Sequence, residues 1–144
     1  MQVKHKCFPA VTVHGLAHAL AALAPGRGVT LLSAPGAAGY AGCGWWRALV
    51  AQARAQHPGT AADDILDCGE AAGRAMEALR IGQRLLILDP ACTAYAAVAA
   101  AAVECGAVLL DRRPAALDLA APGAARRLAA WLGARPLLAG RQLR

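Results

Sequence analysis

The stretch that decides the fold is Arg84-Leu-Leu-Ile-Leu-Asp89, a short run of large aliphatic residues between two charged ones. Such a run is typical of a strand buried on both faces of a sheet. Pro90 follows it, where a helix can begin without needing the missing N–H. Residues 91–105 then predict a helix that is apolar on nearly every side and therefore covered on more than one face, and Gly106 ends it.

The same strand–helix arrangement repeats on both sides of this stretch. Ile65-Leu66-Asp67 and Leu109-Leu110-Asp111 have the same aliphatic ending as Ile87-Leu88-Asp89, and each aspartate follows the previous one after 22 residues. Residues 28–33 predict a further strand, and residues 45–56 and 70–80 predict helices with one apolar face. Strands that alternate with helices indicate βαβ crossovers and a parallel sheet.

We therefore predict a small three-layer α/β sandwich of the flavodoxin or Rossmann type, with a mostly parallel sheet of four to five strands. Counting residues 28–33 as the first strand, we predict the strand order 2-1-3-4. The order of the sheet would then reverse between the strands that end at Ser33 and at Asp89. Residues 8–13 offer an additional strand, followed by a short helix over residues 14–23.

The basic character of the chain belongs to its end. Of the 144 residues, the segment 119–144 holds five arginines and no acidic residue, within a net charge of +6. We predict a single α/β domain over residues 1–122 and a basic C-terminal helix and tail over residues 123–144, partly disordered. Trp131 and its leucine neighbours would dock this helix on the domain or on a second subunit. No nucleic-acid motif accompanies the arginines, so a nucleic-acid partner is not expected.

Composition also predicts where the protein works. The five cysteines are odd in number, none are paired as C-x-x-C, and no secretory signal precedes them. The two long uncharged stretches, residues 7–26 and 28–46, are interrupted by proline and glycine. We therefore expect a cytoplasmic protein with reduced thiols and no membrane association.

The loop after the strand at residues 28–33 is the most unusual segment, Ser33-Ala-Pro-Gly-Ala-Ala-Gly-Tyr-Ala-Gly-Cys-Gly44. Its glycines allow close approach to a ligand, the N–H groups of the next helix favour an anion, and Tyr40 offers a ring. The glycine spacing matches neither the dinucleotide fingerprint nor the P-loop. The alternative is a loop without a ligand, or one folded against a neighbouring subunit. The candidate ligand-binding residues here are Ser33, Gly36, Gly39, Tyr40 and Gly42.

The strand-end aspartates complete the candidate site, which comprises Asp67, Asp89, Thr93 and Asp111 in addition to the loop. Carboxylates at adjacent strand ends can bind a cation or carry acid–base chemistry. The competing interpretation is that Asp67 and Asp89 cap the helices that follow, and that Asp111 pairs with the neighbouring arginines at 112 and 113.

Other reactive groups are interpreted as structural. Cys68 and Cys92 lie near predicted helix starts, but no histidine is expected in these loops, so we interpret them as small buried thiols. An aspartate would then be the acid or base of any reaction. His14 and His18 have the spacing of a metal pair, with only His5 or Cys7 near enough to add a ligand, and we predict no metal site.

Two functions remain open from the sequence. The first is binding of a small anionic metabolite at the carboxyl edge of the sheet. The second is a non-catalytic homo-oligomeric scaffold or partner-binding subunit, with a homodimer compatible with both. No motif specifies a cofactor or a reaction, so the sequence leaves open whether the protein is an enzyme.

Overall fold

Six strands and six helices alternate along residues 8–133, the part of the chain that the computed structural model describes. The strands are β1 Ala10–Val13, β2 Val29–Ser33, β3 Ala62–Asp67, β4 Leu85–Ile87, β5 Val108–Leu110 and β6 Ala116–Asp118. The helices are α1 Leu16–Leu23, α2 Ala37–Tyr40, α3 Cys43–Gln56, α4 Ala72–Arg80, α5 Tyr95–Glu104 and α6 Ala124–Gly133. All neighbouring strands pair in parallel. The predicted α/β class, of the Rossmann or flavodoxin type, is confirmed.

The number and order of the strands differ from the prediction. In residues 8–133 the sheet has six strands in the order β5-β4-β3-β2-β1-β6, because the stretch at Leu117-Asp118 forms a strand that we did not predict. β3 separates β2 from β4, so the predicted reversal between those two strands was wrong. Each crossover from β1 to β5 adds its strand on the same side of the previous one. In the described range, the order reverses only where β6 returns to the free side of β1.

The return from β5 to β6 shows that the sheet is curved. Residues 111–115 alone connect these two strands, which lie at opposite edges. The stretch from Leu110 to Ala116 spans about 20 Å at most when fully extended. Five inter-strand spacings in a flat sheet would need about 24 Å. The two edges of the sheet must therefore bend toward each other. Leu110 and Ala116 both pack against a small buried cluster of Leu32, Ile65 and Ile87.

The main core lies between the sheet and the helices. Its largest member is Trp46 of α3, which is fully buried together with Leu31, Leu66 and Leu86 of the sheet. α6 joins the same cluster through a stripe of buried residues, Ala124, Leu128 and Leu132.

The C-terminal helix is held to its own domain by a hydrogen bond as well as by packing. The indole N–H of Trp131 donates to the carbonyl of Ala10 at 2.7 Å. Within the chain, this helix therefore docks on the domain through Trp131 and the buried leucines. Residues 134–144, where part of the predicted basic tail falls, lie outside the described residues.

Helix α5 is shorter and less covered than predicted. It begins at Tyr95 rather than near residue 91, because residues 89–92 form a turn in which the N–H of Cys92 donates to the carbonyl of Asp89 at 3.0 Å. Only Val98 and Ala102 are buried, and Val103 is 78% exposed. Within residues 8–133, one face of α5 is covered rather than several. None of the helices in this range combines the length and apolar content that crossing a membrane requires.

Candidate functional site

The carboxyl edge of the sheet gathers most of the polar side chains predicted to matter. Because all strands run in the same direction, their last residues share this edge. Following the order of the strands, the side chains are Asp111, Asp89, Asp67, Ser33, His14 and Asp118. The three aspartates of the predicted site thus follow neighbouring strands β5, β4 and β3. The histidine and the fourth aspartate belong to the β1–β6 reversal.

Asp67 is buried and both of its carboxylate oxygens are engaged. Arg113 Nη1 donates to Oδ2 at 2.7 Å, and the N–H of Gly69 donates to Oδ1 at 2.8 Å. Arg113 also donates to the carbonyl of Ser33 at 2.9 Å and to Oγ1 of Thr12 at 3.2 Å. One arginine from the return connection therefore joins the ends of three strands.

Only one of the two arginines that were expected to pair with Asp111 does so in residues 8–133. Arg112 forms the local pair with Asp111, at 3.2 Å, as predicted for that position. Arg113 instead reaches Asp67, because the return connection passes over the middle of the edge. Sequence reasoning missed this role, since it considered the two arginines only as neighbours of Asp111.

Ser33 is completely buried, and its hydroxyl is used within the fold. The hydroxyl accepts the N–H of Asp67 at 2.9 Å and donates to the carbonyl of Ala34 at 3.2 Å. It therefore ties the end of β2 to the end of β3.

The glycine-rich loop contains a single turn of helix, α2, which was predicted as loop. Gly36 precedes α2 with φ 66°, and Gly42 precedes α3 with φ 94°, a left-handed region that favours glycine. A Cβ at Gly69 would lie 3.3 Å from the Cα of Gly36, so the loops after β2 and β3 are in contact. Gly39 and Tyr40 lie on the outside of α2, and Tyr40 is 71% exposed.

The loop after β4 joins the same group. The N–H of Asp89 donates to the carbonyl of Gly69 at 2.7 Å, and the Asp89 carboxylate accepts the N–H of Ala91 at 2.9 Å. The structure therefore brings Gly36, Asp67 and Asp89 together. Thr93 is exposed in the turn before α5, and Asp111 is exposed at the outermost strand.

The predicted helix caps were wrong in position. Asp67 and Asp89 each accept the N–H two residues further on, in turns that precede the helices. The residues at the helix caps are Ala71 and Ala94, and neither provides a side-chain cap. The difference arises because α4 and α5 begin later than their apolar patterns indicate.

His14 lies directly after β1 and bonds a carboxylate that the sequence interpretation did not include. Its Nε2 is 2.7 Å from Oδ1 of Asp118, which also accepts the N–H of Ala120 at 2.9 Å. The backbone N–H of His14 donates to Nδ1 of His18 at 3.1 Å. His14 was not predicted to meet a carboxylate, because the pattern did not place β1 beside β6. Leu117-Asp118 has the same Leu-Asp ending as the other strands and was the available signal.

The electrostatics of Asp118 favour its ionised form. Burial by itself raises the pKa of this carboxyl, but the Ala120 N–H and the imidazoles of His14 and His18 together lower the pKa below its ordinary value. The His14 and Asp118 side chains are 36% and 48% exposed, so the pair is accessible from solvent.

Two of the thiols, those of Cys43 and Cys68, are buried. Burial, with smaller contributions from Cys43 and Asp67, raises the pKa of the Cys68 thiol to about 12. Burial also raises the pKa of Cys43, with Glu77 acting in the same direction and Arg74 against it. Both thiols are therefore protonated at neutral pH, which agrees with the interpretation of Cys68 as a small buried residue. Cys92 is half-buried.

The described part of the chain contains no cluster of side chains that could coordinate a metal ion. No group of three or more histidine, cysteine, aspartate or glutamate residues in this range could hold an ion. His5 and Cys7, the only candidates for a third ligand beside His14 and His18, lie outside the described residues.

The site is interpreted from its own geometry, and fold-level likeness to other α/β proteins does not assign a chemistry. Comparison of the chain with protein-family models and with curated proteins finds no match in either.

Proposed function

We propose that this protein binds a small anionic metabolite at the carboxyl edge of its sheet, above the ends of β1, β2 and β3. The observation that carries the proposal is the state of the helix N-termini there. α1, α3, α4 and α5 all begin at this edge, and none has a side-chain cap or an acidic residue in its first turn. The first N–H groups of α4 and α5 donate to the carbonyls of Glu70 and Cys92, but the other first-turn N–H groups and the helix dipoles make the edge attractive to an anion.

The charges at the middle of the edge support the same ligand class. Asp67 would repel an anion if it were alone, but Arg113 neutralises it through the 2.7 Å ion pair. The Arg113 side chain remains 27% exposed and can donate further hydrogen bonds. The carboxyl edge therefore offers both uncapped helix N-termini and the guanidinium of Arg113.

The glycine-rich loop provides space for the rest of the ligand. A Cβ at Gly39 or at Gly44 would meet no other atom within 4 Å, so the surface above α2 and the start of α3 is open. The exposed ring of Tyr40 offers a stacking surface beside it. The proposal includes a reducing, cytoplasmic setting, which the four free cysteines of residues 8–133 support.

The test is a thermal-shift screen of nucleotides and sugar phosphates against the wild type and Gly44→Asp. A ligand at about 100 times its Kd stabilises by about 2.7 kcal/mol, which shifts Tm by several degrees. Gly44→Asp places an acid in the first turn of α3, which favours the helix by about 0.3–1 kcal/mol but repels an anion. Without ligand, we expect the Tm of the variant to equal or exceed that of the wild type, and we expect the ligand-induced rise in Tm to be lost.

Gly59→Asp is the matched control, because Gly59 lies in an open turn after α3, at the opposite edge of the sheet. It adds the same charge and should retain the ligand-induced rise in Tm. The proposal fails if no anionic compound raises Tm, or if both variants lose the effect equally.

A second function, a homodimer, is favoured by the outer face of α5. The exposed residues Ala96, Ala100 and Val103 lie at helical spacing and carry no charge. The edge strand β5 lies beside this helix. A second copy of this chain suits the face, because an uncharged patch does not repel its own copy in a two-fold interface.

The solution mass from light scattering tests the dimer, with Val103→Asp as the variant. Val103 is 78% exposed, so the change should leave the monomer folded and shift a dimeric mass to a monomeric one. Val98 is unsuitable as a probe because it is buried in the core. A monomeric wild type would exclude this candidate.

A further inference from the structure

The junction of β1 and β6 holds a second arrangement that the anionic-ligand proposal does not use. This is the only place in the sheet of residues 8–133 where the strand order reverses. His14 and Asp118 meet here, one from the end of each strand. We propose that His14 is a catalytic general base at this junction, which removes a proton from water or from the hydroxyl group of a small-molecule substrate.

The hydrogen bond to Asp118 determines which ring nitrogen of His14 is available. An ionised carboxylate only accepts hydrogen bonds, so Nε2 of His14 carries the proton in the 2.7 Å contact. Nδ1 is then left with a free lone pair, and no other group of residues 8–133 bonds to it. A histidine base oriented by a carboxylate on its other nitrogen is a recurring arrangement in general-base catalysis.

Asp118 is a positioning residue in this arrangement, and it is itself held in place. The N–H of Ala120 donates to the same oxygen that His14 contacts, at 2.9 Å. The carboxylate therefore has a defined direction, even though nearly half of its surface is in solvent.

His18 restrains His14 from the opposite side. Its Nδ1 accepts the backbone N–H of His14 at 3.1 Å, and the two rings meet edge to face with centroids 5.6 Å apart. Because Nδ1 of His18 accepts, its proton resides on Nε2 in the neutral ring, which is then a donor. The junction thus presents a proton acceptor on His14 and a proton donor on His18, one helical turn apart.

A surface ion pair that only tethers β6 to β1 is the competing explanation. Such a pair would contribute to stability and would not change the reactivity of the imidazole. The groups that face His14 are Asp118 on β6 and His18 on α1, and neither explanation involves the buried Arg113 ion pair. A measurement of the reactivity of His14 therefore distinguishes a general base from a structural ion pair.

The probe is hydrolysis of 4-nitrophenyl acetate by the full chain. Nδ1 of His14 accepts a proton from water as the water oxygen forms a bond to the acetyl carbon. The bond between that carbon and the phenol oxygen breaks, 4-nitrophenolate leaves and acetic acid forms. The proton on Nδ1 and the carboxyl proton of acetic acid both pass to solvent, which leaves acetate. The probe carries no anionic group, so its outcome is independent of the anionic-ligand proposal.

His14→Gln should lower the second-order rate constant by about 10²-fold, the low end of a general-base effect. His57→Gln is the matched control, because His57 is a half-buried histidine after α3 for which no carboxylate partner is found in residues 8–133. This control should retain the wild-type rate constant. Asp118→Asn removes the charge while keeping an acceptor, and should lower the rate constant about tenfold.

The imidazole ¹⁵N spectrum reports which ring nitrogen of His14 carries the proton, and a purely structural role of the pair would not depend on this. We expect His14 to show a protonated Nε2 and a bare Nδ1, and Asp118→Ala to convert this into a mixture of tautomers. The proposal is overturned if His14→Gln keeps more than half of the rate constant, or if His57→Gln lowers it equally. A protonated Nδ1 on neutral wild-type His14 would overturn it as well.

Discussion

Two aspartates of the same strand, Asp64 and Asp67, are both buried, and the structure treats them differently. Asp64 receives four side-chain donors: Trp46 Nε1 and Gln83 Nε2 at 2.9 Å, Arg54 at 3.1 Å and Arg47 at 3.3 Å. Asp67 receives only one side-chain donor, Arg113, together with a backbone N–H.

This difference indicates that Asp64 stabilises the fold, whereas Asp67 lies at the edge of the sheet where we propose that ligands bind. The donors to Asp64 come from α3 and from Gln83, two residues before β4, so this carboxylate locks a long helix against the sheet. Asp67 is held by Arg113, which belongs to the segment that connects β5 to β6. The amino half of β3 therefore serves stability, and its carboxyl end lies within the surface proposed to bind ligands.

The largest effect is expected from Asp64→Ala. Removing this carboxylate leaves the donors of Trp46, Gln83 and two arginines without their partner, which costs about 3–5 kcal/mol in the free energy of unfolding. Urea unfolding followed by Trp fluorescence measures it. If the variant does not fold, Trp46→Phe provides the milder change, with an expected loss of about 1 kcal/mol for one hydrogen bond. A loss below about 0.5 kcal/mol for both would contradict the stabilising role of Asp64.

Arg113→Met should produce the next largest effect. It leaves the Asp67 carboxylate buried without its countercharge and should cost about 2 kcal/mol of unfolding free energy. Arg54→Met is the matched control at the other end of β3, since Asp64 would keep three other donors. This control should cost less than about 1 kcal/mol. Equal losses of unfolding free energy for the two arginine variants would contradict the proposed difference between Asp64 and Asp67.

Asp118→Asn should have the smallest effect at neutral pH, below about 1 kcal/mol, because its partner His14 is exposed. The pKa of Asp118 is lowered in the folded protein, so its contribution is present above the unfolded pKa of about 3.9 and is lost as the pH falls below it. The variant should therefore lose less stability than the wild type between about pH 5 and pH 3. Urea midpoints at these two pH values measure this. Identical acid sensitivity would show that Asp118 does not contribute.

Local patterns predicted the secondary structure of the candidate site well. The aliphatic endings before Asp67 and Asp89 correctly indicated strands, and β1 and α1 were found where residues 8–23 suggested them. The helix starts were less accurate, since α5 begins at Tyr95 and α4 at Ala72. Apolar periodicity continues into the turns that precede both helices, and an aspartate in such a turn resembles a helix cap.

The contacts of the site depended on residues that no local pattern connects. Arg113 reaches Asp67 across 46 positions of the sequence, and His14 reaches Asp118 across 104. Predicting either contact requires the strand order. Without β6 in the predicted sheet, His14 had no carboxylate beside it, and the β1–β6 reversal could not be recognised.

The sequence by itself determined the alternation of strands and helices, their common direction, and hence the shared edge of the three strand-end aspartates. It did so because burial periodicity and helix-ending glycines act within about one turn or one strand of chain. Tertiary structure decided which strands are neighbours, which arginine neutralises Asp67, and which carboxylate orients His14. Those outcomes follow from the five-residue return at residues 111–115 and from the curvature of the sheet, which are properties of the whole chain rather than of any segment.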